Sequence, residues 1–275
     1  MAFSVNTNAG ALVALQNLNK TSSLLQQTQA QVNTGLKVGS AKDNSAVFAI
    51  AQKLRADVSG LNAVKSSIDR ATSTLDVALA AGEAVSDLLI QMKEKAVAAA
   101  DAGLDSSSRT ALNDEFVQLR DQISTIVDNA EFNGINSVKN GGNAIVAIIN
   151  DSGSNTISIA AQDLSLTGSN VTLTAASAIS TSALAASAVT RIDASITNVN
   201  TSLSKLGAGS RRLSLQKEFV GKLSDAIEVG IGNLVDADLA KTSAQLQSLQ
   251  VKQQLGLQAL SIANQAPSTV LSLFR

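Results

Sequence analysis

The sequence has no cysteine, histidine, tryptophan or tyrosine, and one proline, Pro267. Each absence closes a class of function. Without Cys there is no disulfide framework, thiol nucleophile, zinc ribbon or iron–sulfur cluster. Without His the Ser–His triads are excluded, and the commonest general base and metal ligand is missing. Charged residues make up only 16% of the 275, and they balance at 21 basic against 22 acidic. That argues against a dedicated nucleic-acid surface. No apolar run reaches the length of a membrane span. Met1 to Asn19 hold no basic residue, so the charged start of a secretory signal is not expected. Aromatic residues are also scarce, at 2%. Compact cores lean on aromatics for buried area, whereas this chain relies on Leu, Ala, Val and Ile. That mixture suits long helices packed side by side.

Hydrophobic spacing supplies the positive signal. From Val47, every seventh residue reads Val47, Leu54, Leu61, Ile68, Leu75, Gly82, Leu89, Ala96. A companion set reads Ile50, Asp57, Val64, Ala71, Ala78, Val85, Met92, Ala99, with Asp57 its one charged interruption. A helix from about Asn44 to Ala100 is about 85 Å long. Gly103 and the run Asp105 to Ser108 supply a stop and a new N-cap. Leu112, Phe116, Leu119, Ile123, Ile126 and Ala130 then mark a second helix, expected to end near Asn133-Gly134. The seam returns as Ile192, Val199, Leu206, Leu213, Val220, Ile227 and Leu234, a helix closing around Gly230 and Gly232. A last helix, from about Asp236 to Asn264, carries Leu239, Leu246, Leu249, Leu257 and Leu260. The first segment matches it in style with Leu15, Leu18, Leu25, Val32 and Leu36.

Between the seams the chemistry changes. Residues 144–149, 156–159 and 171–174 are short β-branched runs separated by Gly-, Asn- and Ser-rich turns, which predicts a small β insertion. The two ends share a different peculiarity. Before Lys37 the only charge is Lys20, and between Thr242 and Phe274 the only charge is Lys252. A solvated helix normally carries Lys and Glu on its open face. Neutral polar faces pack against copies of themselves without desolvating ions. The ends therefore read as built for burial in a partner or polymer, the alternative being a local hairpin with neutral faces.

Candidate chemistry is thin. Asp236 and Asp238 sit at i and i+2, on different helix faces, so they cannot share a metal or a proton; they suit the start of the last helix. Gly207-Ala208-Gly209 lacks the strand and the further glycines of a phosphate loop. It reads instead as a site of close helix approach. Arg211-Arg212 suits a solvated or inter-subunit ion-pair role. No enzyme, cofactor or metal reading survives.

The termini carry a specific resemblance. Asn6-Thr7-Asn8, Ala11-Leu12, Thr34-Gly35-Leu36-Lys37-Val38 and Ser40-Ala41-Lys42-Asp43-Asn44 resemble the opening of bacterial flagellin. Asp236-Ala237-Asp238-Leu239-Ala240 resembles the family's aspartate motif. Ala263-Asn264-Gln265-Ala266-Pro267 and Val270-Leu271-Ser272-Leu273-Phe274-Arg275 resemble its closing signature. The likeness covers roughly residues 1–135 and 190–275, and the short middle matches the compact alphaproteobacterial, Caulobacter-like type.

That resemblance implies a mainly α fold: a long antiparallel helical bundle or coiled coil with paired terminal helices and a small β-hairpin insertion. It assigns residues 1–40 and 235–275 to an inner tube, 41–135 and 185–234 to an outer tube, and 136–184 to a variable surface-exposed insertion. Inner-tube polymerisation contacts fall to Leu12, Leu15, Leu18, Leu25, Val32, Leu246, Leu249, Leu257, Leu260, Val270, Leu271, Leu273 and Phe274. The junction falls to Gly35, Lys42, Asp43, Asp236 and Asp238. Ser152, Ser154, Thr156, Ser165, Thr167, Ser169, Thr172 and Thr174 become candidate O-glycosylation sites, unless those hydroxyls merely solubilise a hairpin. Leu89, Gln91 and Glu94 fall in the segment equivalent to that read by the mammalian flagellin receptor, with Gln91 replacing a key Arg. Gln31, Asn233 and Thr242 stand where the family commonly has charges, so junction ion pairs are not expected. The implied function is a secreted structural subunit of the flagellar filament for swimming motility, exported unfolded by the flagellar type III apparatus with an export chaperone. It would polymerise with itself or paralogues beneath the filament cap, next to hook-junction proteins, with no cofactor, nucleic acid or membrane span. The alternatives are a hook–filament junction protein and a soluble coiled-coil adaptor.

Overall fold

The computed structural model describes residues 7–271, with side chains through Gln265. Five helices, α1 (Ala9–Thr34), α2 (Ser45–Ala100), α3 (Ser106–Asn129), α4 (Ser182–Val235) and α5 (Leu239–Leu271), enclose one hairpin, β1 (Ile145–Ile148) with β2 (Thr156–Ile159), between α3 and α4. Each helix start is capped by a short polar side chain that accepts from a backbone N–H three residues on, which satisfies one of the free donors there. The caps are Asn8, Asn44, Asp105, Thr181 and Asp238.

Contacts divide the chain into two units, one formed by the described residues up to Ala56 with those from Ala226 on, the other by Asp57–Asp225. In the second unit α2 and α4 run antiparallel, pinned by Lys93–Asp193 and Lys217–Asp69 ion pairs of 2.6 and 2.7 Å. The α2 seam is buried from Leu61 through Val64, Ile68, Ala71, Leu75, Ala78, Val85, Leu89, Met92, Ala96 and Ala99. Its first heptad differs from expectation: Ile50 is 52% exposed, and the buried run begins only after the charged interruption at Asp57. On α4 Ile192, Val199, Leu206, Leu213 and Val220 are fully buried, but Leu234 is exposed. Past Val220 the buried positions are Ser224, Ile231 and Val235, so the stripe leaves the strict seven-residue column. The helix starts ten residues before Ile192 because Ala185 and Ala188 extend the seam and Thr181 caps it. α3 ends at Asn129, earlier than Asn133-Gly134 suggested. Both of those residues have positive φ, 52° and 81°, a turn rather than a helix end.

The insertion is two-faced. In the antiparallel hairpin (Ile145↔Ile159, Ala147↔Ile157) these four side chains are buried, while Val146, Ile148, Thr156 and Ser158 face outward. The third β-branched run is not a strand. It makes one isolated bridge, Leu166↔Val171. Thr172 spends its N–H on Ser195 Oγ (3.0 Å) and its hydroxyl on the Arg191 carbonyl (3.1 Å), so α4 takes the bonds a neighbouring strand would have used.

Small residues at seven-residue spacing receive the insertion. On α2, Asp151 comes against Gly60 and Ser67 Oγ accepts from Ile148 N at 3.1 Å. On α4, Ser195 accepts from Thr172, and a Cβ at Gly209 would lie 2.7 Å from Ile159 Cδ1. The close approach expected at Gly207-Ala208-Gly209 thus occurs at Gly209, toward a strand; Gly207 meets nothing. Helix approach occurs instead at Gly82, where a Cβ would lie 2.7 Å from Leu203 Cδ2.

Candidate assembly surface

In the terminal unit α1 and α5 pack antiparallel. Asn8 Nδ2 donates to the Ala263 carbonyl at 2.6 Å near one end, and Gln253 Nε2 donates to Ser22 Oγ at 3.3 Å midway. Leu18 Cδ1 nests over Gly256, where a Cβ would sit 3.2 Å away. Seven-residue spacing explains the pairing. Leu18, Leu25 and Val32 are half-buried on α1, as are Leu246 and Leu260 on α5, with Thr28 and Leu249 buried.

The rest of the apolar content is left in the open. Leu12, Leu15 and Leu257 are exposed, Leu12 to 62% and Leu257 to 54%, so they take no part in the intramolecular pairing. Val13, Leu24, Val251, Leu255 and Ile262 join them, with Ile262 at 70%. The sequence reading missed these five because they fall off the seam, and only the summed apolar content of both ends could have flagged them. Val270 and Leu271 lie in α5 with side chains outside the described residues; Leu273 and Phe274 lie outside them altogether.

The junction is a backbone clamp. Gly35, at φ 71°, ends α1 in the left-handed conformation and donates to the Gln31 carbonyl. Its own carbonyl accepts from Ala237 N at 2.8 Å, while Lys37 N and Val38 N both donate to the Val235 carbonyl. Leu36 and Asp236 form an antiparallel bridge. Asp43 Oδ2 accepts from Gly39 N, Ser40 N and Ser40 Oγ, closing the loop before α2. Asp238 caps α5, while Lys42 and Asp236 are exposed. A groove of about 500 Å³ beside the clamp is lined by Gln27, Gln31, Lys37, Asp236, Lys241 and Gln245 among others. Among the described residues every ion pair lies in the central unit. Gln31 instead donates to the Lys37 carbonyl.

Elsewhere, of the three residues expected in a receptor-read segment, Leu89 is fully buried in the α2 seam, whereas Gln91 and Glu94 are exposed. Of the candidate glycosylation sites, Ser152, Ser154, Thr156, Thr167, Ser169 and Thr172 are exposed, whereas Ser165 and Thr174 are half-buried. Ser165 and Thr174 hydroxyls bond Asp163 and Ser177. Among the described residues no helix is long and apolar enough to cross a membrane.

Residues 5–140 match the model of the bacterial flagellin N-terminal helical region, and residues 189–274 that of the C-terminal helical region. Flagellin FljN of Caulobacter vibrioides is 51% identical over 272 residues, covering 99% of this chain and 98% of the relative. A flagellin of Brucella melitensis is 33% identical, covering 99% of each chain. The crystal structure of Bacillus cereus flagellin shares the fold at a TM-score of 0.50 and 24% identity, over 56% of this chain and 88% of that one.

Proposed function

From the premise that this chain belongs to the bacterial flagellin family, we infer that its architecture serves polymerisation: it is a structural subunit of the bacterial flagellar filament, and its paired ends are the assembly surface. The observation that carries the assignment of the ends is the exposed apolar surface on α1 and α5, rimmed by almost no charge. Large apolar side chains left exposed together along one helix pair mark a binding face. Each buried Leu-sized side chain contributes about 1.5–3 kcal/mol, while ordering each residue opposes it by about 1–2 kcal/mol for backbone alone. The α1–α5 pair buries few large side chains by itself, so it is marginal in a single subunit. Burial between neighbours then tips it to order, and assembly and folding of the ends become one step.

In this reading residues 1–40 and 235–275 form an inner tube, residues 41–135 and 185–234 an outer tube, and 136–184 an outward insertion. Leu18, Leu25, Val32, Leu246, Leu249 and Leu260 hold the pair together. Leu12, Leu15 and Leu257 face neighbouring copies, with Val270, Leu271, Leu273 and Phe274 extending the surface. Gly35, Asp43, Asp236 and Asp238 set the junction. The chain leaves the cell unfolded through the flagellar type III apparatus, assisted by an export chaperone, and assembles outside the cell beneath a cap, alone or with paralogues. Exposed hydroxyls of the insertion accept O-linked sugars. The test is seeded assembly: purified chain added to short filament fragments should lengthen them under the electron microscope, and chain that stays monomeric with seeds present overturns the reading.

A further inference from the structure

The central unit carries two exposed faces of matching form and opposite charge. On α4, Lys205, Arg212 and Phe219 recur at seven-residue spacing, with Arg211 and Leu215 beside them; all five are exposed, Leu215 to 67% and Phe219 to 58%. Among the described residues Lys205, Arg211 and Arg212 join no ion pair. On α2, Glu83, Ile90 and Val97 recur at the same spacing, flanked by Asp87 and Glu94, with Ile90 and Val97 exposed to 55% and 54%. Among the described residues none of these three carboxylates joins an ion pair, and the neighbouring Lys93 and Lys95 are engaged by Asp193 and Glu115. One face is apolar and basic, the other apolar and acidic.

We propose that these faces are the two halves of one contact between copies, the α4 face of one subunit seating on the α2 face of a parallel neighbour. This rests on the filament reading above. Neither face can pair with itself, because that would set Arg against Arg or Glu against Glu, and like charges across an interface are strongly disfavoured. Two different patches make a heterologous contact, which propagates as an open helix wherever an axial offset keeps it from closing into a ring. The geometry also fixes an offset. The Lys93–Asp193 and Lys217–Asp69 pairs place Ile90 level with Ile196 on α4. Leu215 lies about 19 residues further along, about 29 Å at the helical rise. Parallel copies joined face to face are therefore staggered axially by about 30 Å.

Two experiments on the full chain test this. The first reverses each face: Arg211→Glu with Arg212→Glu, and separately Glu83→Lys, Asp87→Lys and Glu94→Lys. With wild-type seeds each variant alone should raise the critical concentration at least about tenfold, with unchanged monomer melting. An equimolar mixture should restore assembly, since each acidic copy then meets a basic one. Wild-type behaviour of either variant, or a mixture no better than its components, overturns the pairing. The second uses the absence of native cysteine. A Leu215→Cys, Ile90→Cys chain places its thiols too far apart to bridge within one subunit. Mild oxidation of filaments should therefore give a ladder of cross-linked copies. A single monomer band, or a discrete closed dimer in sedimentation, overturns the proposal. Wild-type chain that fails to grow on seeds would instead remove the filament reading beneath it.

Discussion

The amide of Ala237 donates to the carbonyl of Gly35 at 2.8 Å, tying the end of α1 to the residue two before α5. Gly35 accepts this bond at φ 71°, with nothing within 4 Å of where a Cβ would stand. A side chain there meets no steric wall, only the left-handed backbone penalty. Gly35→Ala should destabilise the α1–α5 pair by about 1–2 kcal/mol. Filament melting should fall while the helices of the central unit melt as before, which calorimetry would resolve as two transitions; a single unchanged transition counts against the clamp.

Gly207 and Gly209 should answer an added methyl with opposite signs. Gly207→Ala meets open space and gains helix propensity of about 1 kcal/mol. Gly209→Ala drives its Cβ to 2.7 Å from Ile159 Cδ1, an overpacking that costs about 1–3 kcal/mol unless β2 shifts. Urea midpoints of the two variants should move in opposite directions from wild type.

Leu257 and Leu260 separate the two roles of α5. Leu260 is half-buried on the α1-facing stripe, and Leu257 is 54% exposed. Leu260→Asp should weaken the intramolecular pair and abolish filaments. Leu257→Asp should leave monomer circular dichroism unchanged and still prevent assembly, because the charge must be desolvated only between subunits. Growth of Leu257→Asp on seeds at the wild-type critical concentration would remove Leu257 from the assembly surface.

Hydrogen bonds from the Ser108 side chain and then its backbone hold the Asp105 carboxyl below the usual aspartate value of 3.8. A depressed native pKa stabilises the fold above the unfolded value and is lost as pH falls through the native one. The start of α3 should therefore loosen on acidification below about pH 3.8. Asp105→Asn keeps the cap but removes the titration. Its neutral stability should match wild type, and the contribution of this site to the acid limb of a melting-temperature profile should vanish.

For the insertion, intact mass of native filament protein should exceed the sequence mass by whole sugar units, mapped by peptide fragmentation to exposed hydroxyls such as Thr156 and Ser169. A mass equal to the bare chain rules the modification out.

The large-residue seam was legible because a long apolar column at seven-residue spacing is most readily buried against a partner helix, and the middle of α2, α4 as far as Val220 and the α1–α5 pair follow it. What packs against that seam was not. Gly60 and Ser67 on α2, and Ser195 and Gly209 on α4, do not register in an apolar count, although their spacing matches that of the seam. Thr172 looks like a strand residue by propensity; nothing local says that Ser195, far along the chain, will claim its amide. The junction motif was visible as Gly35 and Asp238, but the bridge from Leu36 to Asp236 joins segments some 200 residues apart. The neutral rims of the ends were plain, yet which leucines turn inward depends on the partner helix: Leu18 does and Leu15 does not.

The loop of the hairpin has a bearing on how such chains diversify. Asn150 closes it locally, its amide donating to Ser152 and Ser154 and its carbonyl oxygen accepting from Asn155 N, while Ile149 N donates to the Asn155 carbonyl. Gly153, at φ 71°, donates to the Asn150 carbonyl and has open space where a Cβ would stand. The turn is thus sealed on itself at its base and rests on α2 only through Asp151 against Gly60, while the Cβ position of Gly153 looks into open space. Extra residues grafted at Gly153 would add only the slow, logarithmic cost of a longer closed loop. Foreign epitopes, or whole new surface loops, can be carried outward there while every seam position stays as it is.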